Sequence, residues 1–178
     1  LLLQNGHVVI GWGSHCDRSP YHGWIMSYNA NTLAQEAVLN TTPDGGLGGI
    51  WMSGGGLAAD SNYNIFLSTG NGTYDGNREF GDSVLRLGPL SGGSLPLVDW
   101  FTPYNQSNLE GSDADLGSGG VLLLPDQPVG SPHQHLLVAA GKQGTIYLID
   151  RDNMGRFHSG NDNQIVQNLS GALAGMWS

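Results

Sequence analysis

The segment Tyr63 to Gly70, YNIFLSTG, is the best guide to the fold, because its pattern occurs three times in the chain. It begins with polar residues, continues as a short apolar run and closes on glycine, as is typical of a strand that ends at a turn. The other copies are GHVVIGWG at 6–13 and QHLLVAAG at 134–141. A further apolar strand follows each copy: GWIMSYN from Gly23, DSVLRLG from Asp82 and TIYLID from Thr145.

Glycine-rich segments precede the second and third copies, in WMSGGGLAAD at 51–60 and LGSGGVLLLPD at 116–126. The repeating unit is therefore a glycine-rich strand, two apolar strands and a more polar strand. This order is that of the four-stranded blade of a β-propeller. Glycine in a strand leaves no side chain to pack. We therefore expect the glycine-rich strands at the central axis, where small residues relieve crowding or open a channel.

The repeat predicts an all-β chain that is a fragment of a β-propeller. We assign an incomplete blade without its inner strand to 1–43, blades to 44–103 and 104–170, and the start of another blade to 171–178. Propellers close with about four to eight blades, so the remaining blades are expected in a longer protein. A small β-sandwich is the alternative, but it does not explain why the order of strands repeats.

The composition argues against several classes of partner. The net charge is −9, from 15 acidic and 6 basic residues, so neither nucleic acid nor an anionic membrane surface is expected. No apolar run reaches the roughly 18 residues of a membrane-spanning helix. Four glycosylation sequons indicate an extracellular or periplasmic location, although chance alone gives about two; they begin at Asn40, Asn71, Asn105 and Asn168.

Three segments resemble the quinoprotein alcohol dehydrogenases. They are NIFLSTGNGTYDGNREFGDSVLRL at 64–87, FTPYNQSNLEGSDADLGSGG at 101–120 and AAGKQGTIYLIDRDNMGRF at 139–157. The segments occur in the order and with the approximate separations of that family. The resemblance implies an eight-bladed propeller, the upper end of the range of about four to eight blades. It also implies pyrroloquinoline quinone (PQQ) and Ca²⁺ over the axis, and the oxidation of alcohols.

The resemblance assigns roles to individual residues. Asn71 falls on a Ca²⁺ ligand, and Asp113 or Asp115 falls on the base that accepts the alcohol proton. Spacing favours Asp113, which would also lie at the Ca²⁺ ion. Lys142 falls on the cation that contacts the quinone oxygens. Amide and carboxylate oxygens suit Ca²⁺, and a cation stabilises charge on a reduced quinone.

The chain departs from the family at two positions. The family's glutamate ligand has no counterpart in SHCDRSPYH at 14–22, where Asp17 is the single carboxylate. The family's stacking tryptophan falls within 53–55, most closely on Gly54, whereas Trp51 would need a shift of three residues. On this alignment the glycines replace the aromatic platform, and PQQ would bind weakly or not at all. The sequence therefore leaves two hypotheses: a PQQ- and Ca²⁺-dependent oxidoreductase, or a cofactor-free exported binding or scaffold propeller.

Two other groups of polar residues have simpler interpretations. Asp60-x-Asn62-x-Asn64 resembles the start of a calcium loop but lacks its glycine and glutamate, which favours a hairpin turn. The spacing of histidine, cysteine and aspartate within 15–22 matches no strong metal template, which favours a polar loop. Long loops at 14–22, 41–49, 71–81 and 103–115 should emerge on one face, where we expect a small-molecule ligand.

Overall fold

The structure, a computed structural model, describes residues 1–52 and 54–177. It is nearly all β and contains three sheets. This architecture confirms the predicted all-β fragment of a β-propeller. Among the described residues, no helix is long and apolar enough to cross a membrane.

The first sheet has four antiparallel strands in the order β1-β2-β3-β4. They are β1 (Leu2–Gln4), β2 (His7–Trp12), β3 (Trp24–Asn29) and β4 (Gln35–Asn40). The expectation that this unit lacks its inner strand is wrong, because β1 pairs with β2. The sequence hid this strand because three consecutive leucines do not show the alternation of a half-buried strand.

The second sheet contains the repeated segment Tyr63 to Gly70. Its antiparallel strands are β5 (Ala58–Ala59), β6 (Ile65–Ser68), β7 (Val84–Leu87) and β8 (Leu97–Thr102). All four residues of β6 are buried, so this sheet is covered on both faces. Ile65 and Leu67 pack into a cluster with Val9 of the first sheet, whereas Phe66 packs into a cluster with Leu137 of the third.

The third sheet repeats this plan. Its strands are β9 (Val121–Leu123), β10 (Leu136–Ala140), β11 (Ile146–Asp150) and β13 (Gln167–Leu169). Between β11 and β13, β12 (Arg156–Phe157) pairs in parallel with β8 and becomes the fifth strand of the second sheet. Strands β6 and β10 are second strands of separate sheets, as the repeat predicted.

The loop that enters the third sheet contains the short helices of the chain. Helix α1 (Gln106–Gly111) is six residues long, and a 3₁₀ helix covers Leu116–Ser118. Asp113 and Asp115 lie between these two helices. The segment therefore presents both predicted catalytic carboxylates in a short connection just before β9.

The glycine triplet lies before strand β5 rather than inside it. Gly54 and Gly55 form a turn, and the strand begins at Ala58. The interpretation of these glycines as part of the inner strand is therefore wrong. Ser53, the first residue of the interval aligned with the stacking tryptophan, lies outside the described residues.

The segment that resembles a calcium loop is the turn between β5 and β6. One carboxylate oxygen of Asp60 accepts hydrogen bonds from the main-chain N–H groups of Asn62 and Asn64, each at 2.9 Å. Its other oxygen accepts a bond from the side-chain amide of Asn64 at 2.8 Å. The carboxylate thus stabilises a hairpin turn, which confirms that interpretation.

Candidate functional site

A cavity of about 380 Å³ lies where β6 and β10 end. It brings together six of the seven residues that the sequence singled out, and we call it the acidic cavity. Its lining residues are Asp17, Trp51, Asn71, Asp113, Asp115, Ser118, Lys142 and Trp177. They include residues from three of the four long loops. Gly54, the seventh candidate, lies in the turn before β5 and is not part of this lining.

Glycines shape the place that Trp51 occupies. A Cβ atom at Gly13 would lie 2.5 Å from the Trp51 ring, and one at Gly70 would lie 2.6 Å from it. A Cβ atom at Gly49 would approach the same ring to 2.9 Å. Such distances are too short for real contacts, so the glycines that close β2 and β6 make room for the indole. The repeated closing glycine therefore has a steric role at this site.

Trp51 gives the acidic cavity an aromatic surface, whereas the sequence alignment had placed the family's stacking tryptophan at Gly54. The interpretation that the glycines leave the site without an aromatic side chain is wrong, because Trp51 lines the cavity. Tyr21 packs edge-on against it, with ring centroids 5.9 Å apart and an interplanar angle of 77°. This contact comes from the loop 14–22, so a second element besides the glycines helps to fix the position of the indole.

Asp115 is a buried carboxylate with fixed partners. One of its oxygens accepts the main-chain N–H of Asn71 at 2.7 Å, and the other lies 2.6 Å from Nζ of Lys142. Its main-chain carbonyl accepts the N–H of Lys142 at 3.0 Å. The side chain is only 6% exposed, so it does not face solvent. Its bonds to Asn71 and Lys142 connect the ends of β6 and β10.

Asp113, unlike Asp115, faces solvent, since 64% of its side chain is exposed. Lys142 Nζ lies 3.1 Å from its carboxylate and donates to its main-chain carbonyl at 3.0 Å. Burial lowers the pKa of Lys142, but hydrogen bonds and charge from Asp115 and Asp113 outweigh it and raise the pKa overall. Lys142 therefore stays protonated between two carboxylates, of which only Asp113 is accessible.

Asp17 enters the cavity from the loop after the first sheet's second strand. Its carboxylate accepts a hydrogen bond from the Tyr21 hydroxyl at 2.8 Å. Burial, followed by this bond and the charge of Asp17, raises the pKa of Tyr21 well above its ordinary value. The phenol therefore stays neutral and remains a donor. Sequence reasoning did not single out Tyr21, because no repeat or motif marks its loop.

Two further lining residues were missed. Trp177 follows Met176, whose main-chain carbonyl accepts a bond from the Ser118 hydroxyl at 2.5 Å. The N–H of Met176 donates to Gly141 O at 3.1 Å, which brings this segment against the end of β10. A signal existed in the sequence, since LAGMW at 173–177 repeats the spacing of LGGIW at 47–51. Trp177 and Trp51 therefore stand at corresponding places in two repeats.

A buried acid lies behind the acidic cavity. Asp82 is fully buried, accepts the main-chain N–H of Leu116 at 3.1 Å, and donates its own N–H to Gly70 O. Burial raises its pKa to about 7, the Leu116 bond opposes this, and the charge of Asp115 adds to the rise. Asp82 thus connects the closing glycine of β6 to the residue after Asp115.

The described residues contain no group of three histidine, cysteine, aspartate or glutamate side chains arranged to bind a metal ion. Polar groups of the loop 14–22 instead form hydrogen bonds within the protein. His22, for example, directs its Nδ1 atom to the Thr42 carbonyl at 2.7 Å. A hard cation in the acidic cavity would therefore need oxygen atoms from an amide side chain or from a bound molecule, in addition to those of the carboxylates.

No family model matches the chain, and no curated protein matches it. Solved structures do match the chain. A quinohemoprotein alcohol dehydrogenase from Pseudomonas putida HK5 has a TM-score of 0.66 and 20% identity over 95% of this chain. The quinohemoprotein alcohol dehydrogenase from Comamonas testosteroni has a TM-score of 0.62 and 17% identity over 94%. A europium-containing methanol dehydrogenase has a TM-score of 0.61 and 16% identity over 95%.

These similarities establish the fold, which is that of part of a β-propeller. The match spans 27% of each quinohemoprotein chain and 33% of the methanol dehydrogenase chain. The chain therefore corresponds to about a third or less of the length of each of these enzymes.

Proposed function

We propose that the acidic cavity binds a planar quinone cofactor, PQQ, together with Ca²⁺, in an oxidoreductase of the quinoprotein alcohol dehydrogenase type. One observation carries this proposal. Residues spread from Asp17 to Lys142, chosen for their resemblance to a quinone site, line a single cavity. Trp51, which lies three residues before the position that the alignment gave to the family's stacking tryptophan, lines the same cavity.

The chemistry of the lining residues fits these groups. Trp51 offers a flat apolar face of the kind on which aromatic rings stack. Asn71, Asp17 and Asp113 offer the hard oxygen atoms that Ca²⁺ prefers. Three carboxylates and one lysine leave the cavity negatively charged, so a carboxylated quinone would need the cation to bind. The proposal therefore requires that quinone binding depend on Ca²⁺.

The chain's own residues would have two roles, as proton acceptor and as positioning group. The bound quinone supplies the electron acceptor for alcohol oxidation. Asp113, exposed and within 3.1 Å of Lys142, would accept the hydroxyl proton of the substrate. Asp115, which is buried, would hold Lys142 in place. This assignment separates a proton acceptor from a positioning carboxylate two residues away.

A second candidate is a cofactor-free binding or scaffold propeller of the same ancestry. The observation that favours it is that three carboxylates of the cavity already have partners: Asp113 and Asp115 with Lys142, and Asp17 with Tyr21. The family's glutamate ligand also has no counterpart. On this reading the cavity binds a small polar molecule without redox chemistry.

Reconstitution of the full-length protein distinguishes the two candidates. The protein is incubated with PQQ, with and without excess Ca²⁺, and separated from free cofactor by gel filtration. Retained PQQ absorbance that requires Ca²⁺, together with dye reduction on addition of primary alcohols, supports the oxidoreductase. Absence of retained cofactor under both conditions supports the cofactor-free protein.

Two features of the whole protein are part of the same proposal. The remaining blades of a propeller of about eight blades lie outside this chain, which is supported by its match to 27% of the first quinohemoprotein enzyme. Export to the periplasm or the cell exterior rests on the sequons alone. Mass spectrometry of the native protein would detect the additional sequence, and fractionation would locate it.

A further inference from the structure

A second cavity, of about 280 Å³, lies at the opposite ends of β6 and β10. It is bounded by the turn between β5 and β6, by Arg86 of β7, and by Asp126, His135 and Arg151 of the third repeat. We call it the arginine cavity. Asn64 precedes β6 and His135 precedes β10, whereas the acidic cavity lies where these strands end.

Arg86 carries a charge that no described carboxylate neutralises. In the described parts of the chain, 1–52 and 54–177, no acidic oxygen lies within 4.0 Å of its guanidinium, unlike that of Arg151. Its Nη1 atom donates to the Arg151 carbonyl at 2.8 Å, and its buried Nε has no acceptor among the described residues. A partly buried cation without a counter-charge is costly, so the site favours an anion.

Arg151 has a partner that is easily displaced. Its side chain is only 7% exposed, and its Nη2 atom donates to Asp126 at 3.0 Å. The Asp126 side chain is 70% exposed, so this ion pair is bonded weakly. The Nε atom of Arg151 is also buried without an acceptor among the described residues. A second guanidinium thus has donor capacity that the protein itself does not use.

The other carboxylates of the arginine cavity have partners of their own. Asp60 accepts three hydrogen bonds from Asn62 and Asn64 within its turn. Asp152 lies 2.7 Å from Nδ1 of His135. Neither carboxylate therefore serves as the counter-ion of Arg86, and the two guanidiniums remain the groups with unsatisfied donors.

We propose that the arginine cavity binds a small oxyanion of the phosphate or carboxylate type, held by Arg86 and Arg151. Paired N–H donors of a guanidinium fit two oxygens of such a group, and charge-assisted bonds of this kind are strong. Asp126 occupies Arg151 in the absence of the oxyanion and competes with it. The site is separate from the acidic cavity and does not depend on quinone binding.

Calorimetric titration of the full-length protein with inorganic phosphate, and separately with acetate, tests this proposal at low ionic strength. Binding should be about tenfold weaker or lost in Arg86→Gln, because charged hydrogen bonds disappear. Arg78→Gln is the matched control, since Arg78 pairs with Asp44 at the surface, and it should bind like the wild type. The stronger of the two titrations identifies whether tetrahedral or planar oxyanions are preferred.

Asp126→Asn provides an independent test that does not depend on the folding of the arginine variant. Removal of the competing carboxylate should tighten binding several-fold, whereas a purely structural ion pair would give unchanged or weaker binding. The proposal is overturned if neither oxyanion binds the wild type, or if Arg86→Gln binds as well as Arg78→Gln. It is also overturned if Asp126→Asn does not bind more tightly.

Discussion

The acidic cavity and the arginine cavity lie at opposite ends of the same strands, β6 and β10, and differ in how their charged side chains are paired. At the acidic cavity, Lys142 is shared between Asp113 and Asp115. At the arginine cavity, Arg86 has no described carboxylate partner, and Arg151 has one that is mostly exposed. The shared strands therefore fix the positions of both cavities, while the side chains around their ends, including Arg86 of β7, set the chemistry of each cavity.

The first prediction concerns Asp82, which places a titrating group behind the acidic cavity. Its folded pKa is raised to about 7 by burial, whereas an unfolded aspartate has a pKa of about 3.9. Its contribution to stability is therefore fully present below about pH 4 and is lost as the pH rises to about 7. In urea denaturation, the wild type should lose up to about 4 kcal/mol across this range.

The Asp82→Asn variant should lack this loss, because an amide does not titrate. Asp75→Asn is the control, since hydrogen bonds from the main-chain N–H groups of Glu79, Arg78 and Asn77 lower the pKa of Asp75. Asp75 should contribute stability that is lost as the pH falls, which is the opposite sign. Parallel pH profiles for the wild type and Asp82→Asn would contradict the account of Asp82.

The second prediction tests whether Lys142 neutralises the acidic cavity. Lys142→Met leaves the buried Asp115 carboxylate without its cation and should lower the free energy of unfolding by about 2–4 kcal/mol. Adding Asp115→Asn should recover part of this loss, because the unpaired charge is removed. Arg78→Met is the control, and loss of its exposed pair with Asp44 should cost about 0–1 kcal/mol. Equal losses in the two single variants would show that Asp115 does not depend on Lys142.

The third prediction tests the steric role of the closing glycine of β6. A Cβ atom at Gly70 would lie 2.5 Å from an Asp115 oxygen and 2.6 Å from the Trp51 ring. Gly70→Ala should therefore destabilise the protein by about 1–3 kcal/mol through overpacking. At Gly111, where a Cβ would meet open space, the same substitution should have little effect. Thermal unfolding of both variants measures the difference, and equal melting temperatures would refute the steric role.

The fold and part of the acidic cavity could be predicted because the repeat gives a register. Asn71 and Lys142 each follow the closing glycine of an equivalent strand, so matching ends of β6 and β10 brought them together. Trp51 could not be placed, because the chain forms a turn at Gly54 and Gly55 before β5 begins. Counting residues along an assumed strand gives the wrong position once the chain leaves the sheet.

The residues that were missed belong to segments without strand periodicity. Tyr21 lies in a loop, and its roles depend on contacts with Asp17 and Trp51 that no spacing rule gives. The arginine cavity was missed for a related reason. In the sequence, Arg86 is a single polar position on an apolar strand. Its missing counter-charge becomes visible in the packing of the second sheet against the third.

In the proposed Ca²⁺-dependent quinone site, Trp51 forms the aromatic face. The test is a titration of the full-length protein with PQQ at saturating Ca²⁺, in which the quenching of tryptophan fluorescence reports binding. Trp51→Leu should weaken binding by about three- to tenfold or more, as expected for loss of a stacking partner. Trp12→Leu, at an exposed position outside the acidic cavity, should leave binding unchanged. No binding by the wild type, or equal affinities for the two variants, would contradict the claim.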